Sequence, residues 1–158
     1  MRELPDVINW RRLSDRITTS GQPTETQLAG VKALGITQVI NLGPHTNDGA
    51  LGDEPGTVAR LGLNYTYIPV DFDAPTQADY DAFCEALERF QDDKIHVHCI
   101  YNARVSAFFY RYAKSSPFID VDMAEIMEGI WRPGGVWADF VDKPSDNQQP
   151  NRYAGYDY

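Results

Sequence analysis

The run Ile95-His96-Val97-His98-Cys99-Ile100-Tyr101-Asn102-Ala103-Arg104-Val105-Ser106 constrains this chain more than any other. Ile95 to His98 alternates apolar and polar residues in a β-branched-rich segment, the pattern of a short strand. Ile100 to Ala103 is short and contains an Asn, which tolerates a left-handed backbone. From Arg104 onward Val105, Phe108, Phe109 and Tyr112 recur at helical spacing. A cysteine is therefore expected at the end of a strand, on a tight turn, at the mouth of a helix.

That setting favours a reactive thiol. An ordinary cysteine titrates near ~8.5 and is only slightly ionised at neutral pH. Peptide N–H groups at a helix N-terminus and a nearby guanidinium stabilise the thiolate and bring such groups down to roughly 3.5–7.5. The same N–H groups, from Ile100, Tyr101, Asn102, Ala103 and Arg104, can cradle a phosphate- or sulfate-like anion, with the Arg104 guanidinium gripping two of its oxygens. A thiolate beneath a bound phosphoryl group is the arrangement that covalent phosphoryl transfer requires.

His98-Cys99, four residues, then Arg104-Val105-Ser106 resembles the signature loop of cysteine-dependent protein tyrosine phosphatases, which reads His-Cys, five residues, Arg-Ser/Thr. Ser106 keeps the spacing of that family's hydroxyl, whereas Arg104 arrives one position early, about 100° around a helix, and the loop holds no Gly. The whole chain is similar to a bacterial branch of the superfamily, related to the domain fused to some metallo-β-lactamase-like hydrolases. That branch carries a Ser-Gly-Gln-Pro near the start (Ser20 to Pro23), a Val-Ile-Asn-Leu strand (Val39 to Leu42) and an Ile-Pro-Val-Asp segment (Ile68 to Asp71). The resemblance covers roughly residues 10 to 141.

The resemblance implies a cysteine-dependent phosphatase of phosphotyrosine or small aryl phosphate esters, working through a phosphocysteine without a cofactor. Cys99 would be the nucleophile and Arg104 the phosphoryl-binding cation. Ser106 would hydrogen-bond the thiolate, and His98 would orient the loop rather than act as a base. The family's general acid is an Asp on a mobile loop upstream of the Cys; Asp71 and Asp73 flank Phe72 in that region. Asp71 is taken as the acid, with Asp73 the alternative. Implied partners are a phosphorylated peptide or small phosphate ester and a phosphate- or sulfate-like anion in the pocket.

Composition sets the outer bounds. The chain has 158 residues, enough for one domain with a real core, and is 42% hydrophobic and 12% aromatic. A net charge of −9 without any Lys/Arg run argues against nucleic-acid binding. Two distant cysteines do not suggest a disulfide scaffold. Met1 to Asp6 lacks the apolar stretch of a signal peptide, and no segment reaches transmembrane length, so a cytoplasmic chain with no membrane partner is expected.

In chain order, Val7 to Arg16 reads as a lead-in and Arg16 to Ser20 as a short strand. Thr24-x-x-Gln27 opens a helix with a capping box, and Thr37 to Leu42 is a buried strand. The polar loop Gly43 to Gly52 follows a strand end, where α/β proteins bind ligands, and His45 is its candidate substrate-site neighbour. Asp53 to Leu61 reads as a helix that tolerates Pro55 in its first turn, with Glu54 either capping it or facing the site. Asn64 to Val70 is a strand, and Thr76, with Asp79 three residues on, caps a helix carrying Tyr80, Phe83, Leu87 and Phe90 inward; Cys84 beside them reads as core filler. Met123, Ile126, Met127 and Ile130 read as a helix, and Val136 to Val141 as a closing one. The fold class expected is α/β, three-layered, with a central mostly parallel sheet of four to five strands flanked by helices. A single phosphatase-like domain spans 1–142, and a polar, flexible tail 143–158.

Two other chemistries fit the loop. A rhodanese-like sulfurtransferase also places a Cys between strand and helix, but has no need of an acid loop. A catalytically weak oxyanion-binding module would use the same cradle without turnover. His96 and His98 share one side of their strand and could pair at a metal, but no third ligand has suitable spacing, so no metal is expected.

Overall fold

The computed structural model describes residues 2–116, 119 and 122–141; for Met123 and Ala124 it describes the backbone only. Five strands form one sheet: β1 (Arg11–Arg12), β2 (Ile17–Ser20), β3 (Gln38–Asn41), β4 (Asn64–Tyr67) and β5 (Ile95–His98). Their order is β1-β2-β5-β3-β4; only the β1–β2 pairing is antiparallel. The Cys99 strand, β5, is thus central, flanked by parallel neighbours on both sides, and every residue of β2, β3 and β5 is buried. Continuous β-branched and apolar runs suit such doubly covered strands.

The register explains why the sequence motifs share one end of the sheet. Ser20 pairs with His98, His98 with Asn41, and Asn41 with Tyr67. The Ser-Gly-Gln-Pro, His-Cys and Val-Ile-Asn-Leu segments therefore leave the sheet side by side at its carboxyl edge, where open α/β sheets bind ligands.

Helices α1 (Glu25–Ala33) and α2 (Glu54–Arg60) cover one face, closing a small cluster of Leu28, Val39, Val58 and Leu63. The main core lies against α3 (Gln77–Arg89), α4 (Ala103–Ala113), α5 (Met123–Met127) and α6 (Gly135–Val141). Phe83 sits edge-on to both Phe108 and Phe109, at 5.3 and 5.0 Å between ring centroids. Buried aromatic pairs of that geometry add to the stabilisation from area alone.

The capping box expected at Thr24 forms, and the cap expected at Thr76 is a full capping box as well. Thr24 and Gln27 exchange hydrogen bonds with each other's backbone N–H groups, as do Thr76 and Asp79. The lead-in contains the short antiparallel edge strand β1, too brief to show periodicity. The strand expected over Asn64 to Val70 ends at Tyr67, although Ile68 and Val70 still donate to Asn41 and Leu42. α2 is capped by the Asp53 side chain, not by Glu54, which turns inward. The expected tail over 143–158 and residue 142 of the expected domain lie outside the described residues.

Candidate active site

The turn between β5 and α4 is held from three directions. Cys99 N–H donates to Ser20 O, and Gln22 N–H donates to Ile100 O at 3.0 Å. Asn102 is left-handed, with φ 72°, which lets the chain reverse into the helix. Its amide ties the turn to Asn9 O at 2.8 Å and Thr19 Oγ1 at 3.1 Å, while Asn9 Nδ2 donates to Tyr101 O. Ile100 and Tyr101 are half-buried; Asn102 and Ala103 are buried. Gly43 packs directly on the Cys99 backbone from β3's side.

Cys99 is fully covered and belongs to the main apolar cluster. Arg104, in the first turn of α4, is 1% exposed. Its guanidinium carbon lies 5.2 Å from the Phe72 ring centre, and Nη2 donates to Asn47 Oδ1 at 3.4 Å. Phe72 in turn packs against Trp131 and Trp137, and Trp137 Nε1 donates to Phe72 O. The Ser106 hydroxyl donates to Ala103 O and accepts from Trp131 Nε1, both at 3.0 Å. The expected nucleophile and cation are thus both buried, Arg104 beneath Phe72 and Asn47, whereas the Ser106 hydroxyl is engaged with α4 and Trp131.

Asp71 and Asp73 are both exposed, because Phe72 between them turns into the core. The Asp71 carboxylate accepts from Asp73 N–H at 2.9 Å. The two candidate acids therefore stand on the outer side of the segment whose inner side covers Arg104.

Beside the loop runs a buried polar row. His98 places Nδ1 3.0 Å from Cys99 O and Nε2 2.5 Å from Glu54 Oε2. Gln22 Nε2 donates to Glu54 Oε1 at 2.6 Å and to Pro23 O at 2.9 Å. Burial pushes the Glu54 carboxyl up, but the His98 charge and the hydrogen bonds from His98 and Gln22 outweigh it, holding the group below the usual carboxylate range. On the outer side, Asn41 Nδ2 donates to Tyr65 Oη, which also meets His45 Nε2 at 2.7 Å. His45 itself is exposed and stacks on Tyr67 with centroids 3.8 Å apart.

His96 differs from its neighbour. Ser20 Oγ donates to Gly21 O, so it accepts from His96 Nε2–H, and the Thr18 hydroxyl donates to Nδ1. Both ring nitrogens are spent, which removes the His96/His98 metal pairing. Burial, then the charge on His98, push His96 well below the ordinary imidazole value. Among the described residues, no group of three His, Cys, Asp or Glu side chains could hold a metal, and no helix is long and apolar enough to cross a membrane.

Sequence reasoning passed over Asn47, Phe72 and Trp131, which enclose Arg104 and Ser106. An aromatic residue standing between two aspartates was the available signal for Phe72.

No protein-family model matches the sequence. Two crystal structures of a DUF442 candidate phosphatase from Shewanella putrefaciens CN-32 are similar to this chain. One has 34% identity and a TM-score of 0.71, covering 77% of this chain and 76% of that one. The other has 29% identity and a TM-score of 0.78, covering 88% and 92%. TpbA of P. aeruginosa, solved in complex with phosphotyrosine, shares the fold at 18% identity with a TM-score of 0.61, covering 78% and 72%. A beta-lactamase hydrolase-like protein of Xylella fastidiosa (strain Temecula1) is 32% identical over 93 residues, 55% of this chain. This chain spans only 21% of the length of that curated relative.

Proposed function

The chain belongs to the DUF442 family, and from that premise we propose that it is a protein tyrosine phosphatase-like phosphomonoesterase that hydrolyses phosphotyrosine or small aryl phosphates through a phosphocysteine on Cys99. The observation that carries this reading is the buried placement of Cys99 and Arg104 on either side of a left-handed turn into α4. First-turn N–H groups of a helix have no intrahelical partner and point at an anion lying over them.

In the proposed reaction the Cys99 thiolate attacks phosphorus, forming a P–S bond as the bond to the aryl oxygen breaks. Asp71, or Asp73 in its place, delivers a proton to the departing oxygen. Arg104 and the turn's N–H groups take up charge on the equatorial oxygens. Water then cleaves the P–S bond, returning phosphate and thiolate. Ser106 would assist that departure once its hydroxyl leaves Ala103 O. Because Cys99 is fully buried, a phosphoryl group reaches it only when the segments that cover it part, so the closed form is the resting form in this scheme. His45, exposed in the loop over 43–52, would neighbour the substrate's aryl group.

The test is aryl phosphate hydrolysis by the intact chain. Activity abolished in Cys99→Ser and blocked by vanadate supports the reading. Transfer of sulfur from thiosulfate to cyanide instead would establish the sulfurtransferase. The full enclosure of Cys99 and the engagement of Ser106 by Trp131 favour a second reading, an oxyanion-binding module. It predicts that phosphate raises the melting temperature while no ester is turned over.

A further inference from the structure

The buried pair next to the nucleophile has a proton count that geometry fixes. His98 and Glu54 side chains are 0% and 1% exposed. A carbonyl oxygen only accepts, so the ring nitrogen 3.0 Å from Cys99 O carries a proton. The other nitrogen lies 2.5 Å from a carboxylate oxygen, too close for two lone pairs, so a proton lies there as well. Gln22 determines which partner owns it. Its amide nitrogen spends its two N–H groups on Glu54 Oε1 and Pro23 O, and donation to Oε1 favours the ionised carboxyl.

We infer that Glu54 is a positioning residue of the Cys99 turn, holding His98 as an imidazolium whose second N–H clamps the Cys99 carbonyl. The consequence for reactivity rests on the proposed role of Cys99 as nucleophile; the charge state of His98 does not. Among the described residues, these groups face the pair, and His45 is the one whose charge also reaches Glu54. From β5, His96 is neutral, both nitrogens committed to Thr18 and Ser20. From β4, the Tyr65 phenol faces Glu54 and is pushed up by burial, hence neutral, and beyond it lies His45 on the loop after β3. From the segment after β2, Gln22 is uncharged. An ion pair so enclosed is a poor source of net stability, but removing one partner strands the other. Its use here is to plant a cation one residue from the sulfur and to fix the carbonyl of the cysteine itself.

Nitrogen NMR of the His98 ring in the intact wild-type chain reads the charge directly. At pH 7 both ring nitrogens are protonated, each N–H exchanging slowly. In Glu54→Gln one nitrogen loses its proton, and the 240 nm thiolate absorbance at pH 7, taken as a difference from Cys99→Ser, falls about tenfold. The same variant lowers kcat on an aryl phosphate about tenfold with KM within roughly twofold, and Glu54→Asp recovers part of the loss. A single protonated nitrogen in the wild type overturns the inference, as does an unchanged thiolate signal in a folded Glu54→Gln. Should that variant fail to fold, the wild-type ring spectrum decides. A wild type without turnover but with a doubly protonated His98 sinks the proposed reaction and leaves the pairing standing.

Discussion

Gly21→Ala tests whether the Ser-Gly-Gln-Pro segment exists to let the Cys99 turn approach β2. An added Cβ at Gly21 would lie 2.5 Å from the Ile100 carbonyl oxygen and 2.8 Å from Ile8 Cγ2. Ordinary contact begins at 3.4 Å, so the oxygen must retreat by about 1 Å, since repulsion rises steeply inside contact distance. Ile8 is 44% exposed, so its Cγ2 can rotate aside, but its Cβ, at 3.0 Å, must give as well. Ile100 O cannot, because it is main chain and accepts the Gln22 N–H in the same strip, while Gly21 N–H is held by Ile8 O. The displacement therefore passes into the residue that follows Cys99.

Overpacking of this kind costs about 1–3 kcal/mol, which in a chain of this size lowers the melting temperature by roughly 3–10 °C. A displacement of about 1 Å at a reacting group costs on the order of 10²-fold in rate. The assay is aryl phosphate turnover and thermal melting for Gly21→Ala, Gly43→Ala and Gly52→Ala. At Gly43 an added Cβ meets Cys99 Cα at 3.2 Å, and at Gly52 it meets nothing within 4 Å. The expected order of damage is Gly21, then Gly43, with Gly52 silent. A Gly21→Ala protein that melts with Gly52→Ala and keeps full activity would refute the packing argument.

Two further outcomes are expected. Asp71→Asn slows phenyl phosphate by about 10²-fold or more while sparing a good leaving group such as p-nitrophenol; the same pattern in Asp73→Asn alone would transfer the role. His96 is held neutral in the folded protein but titrates near ~6.5 when unfolded, so the unfolded chain binds the extra proton and stability falls as pH drops below that value, by up to about 1.4 kcal/mol per unit. Denaturant melts of wild type and His96→Gln between pH 7 and 5 check this, the variant losing that slope.

What the sequence made legible was local. The helix caps, the strands β2, β3, β4 and β5 and the left-handed Asn102 each depend on residues within a few positions, where spacing and side-chain chemistry suffice. β1 escaped because two residues carry no period. Glu54 stays ambiguous in the sequence because a carboxylate at the start of a helix can either cap it or face the site. The parallel register sets β5 beside β3, and there Asp53 is the surface cap and Glu54 the buried partner of His98. Phe72 illustrates the same limit: its neighbours Trp131 and Trp137 lie far along the chain, and no local pattern says which of Asp71, Phe72 and Asp73 turns inward.

The same register gives the buried charges their place. Parallel strands end in step, so Ser20, Asn41 and His98 form one row, and each side chain beyond the last ladder bond must satisfy its polar atoms without the sheet. Ser20 does so on its own chain and His96, Asn41 on Gly43 N–H and Tyr65, and His98 on Cys99 O and Glu54. The first two solutions are neutral; the third needs an ion. An acid sequence of net charge −9 has few cations to spend on an anion site, and here a histidine made cationic by one buried carboxylate joins Arg104 at the turn. The carboxylate and imidazolium cancel at a distance, so a substrate would sense that cation chiefly once within hydrogen-bonding range of the Cys99 turn, where water is excluded and the local dielectric is low.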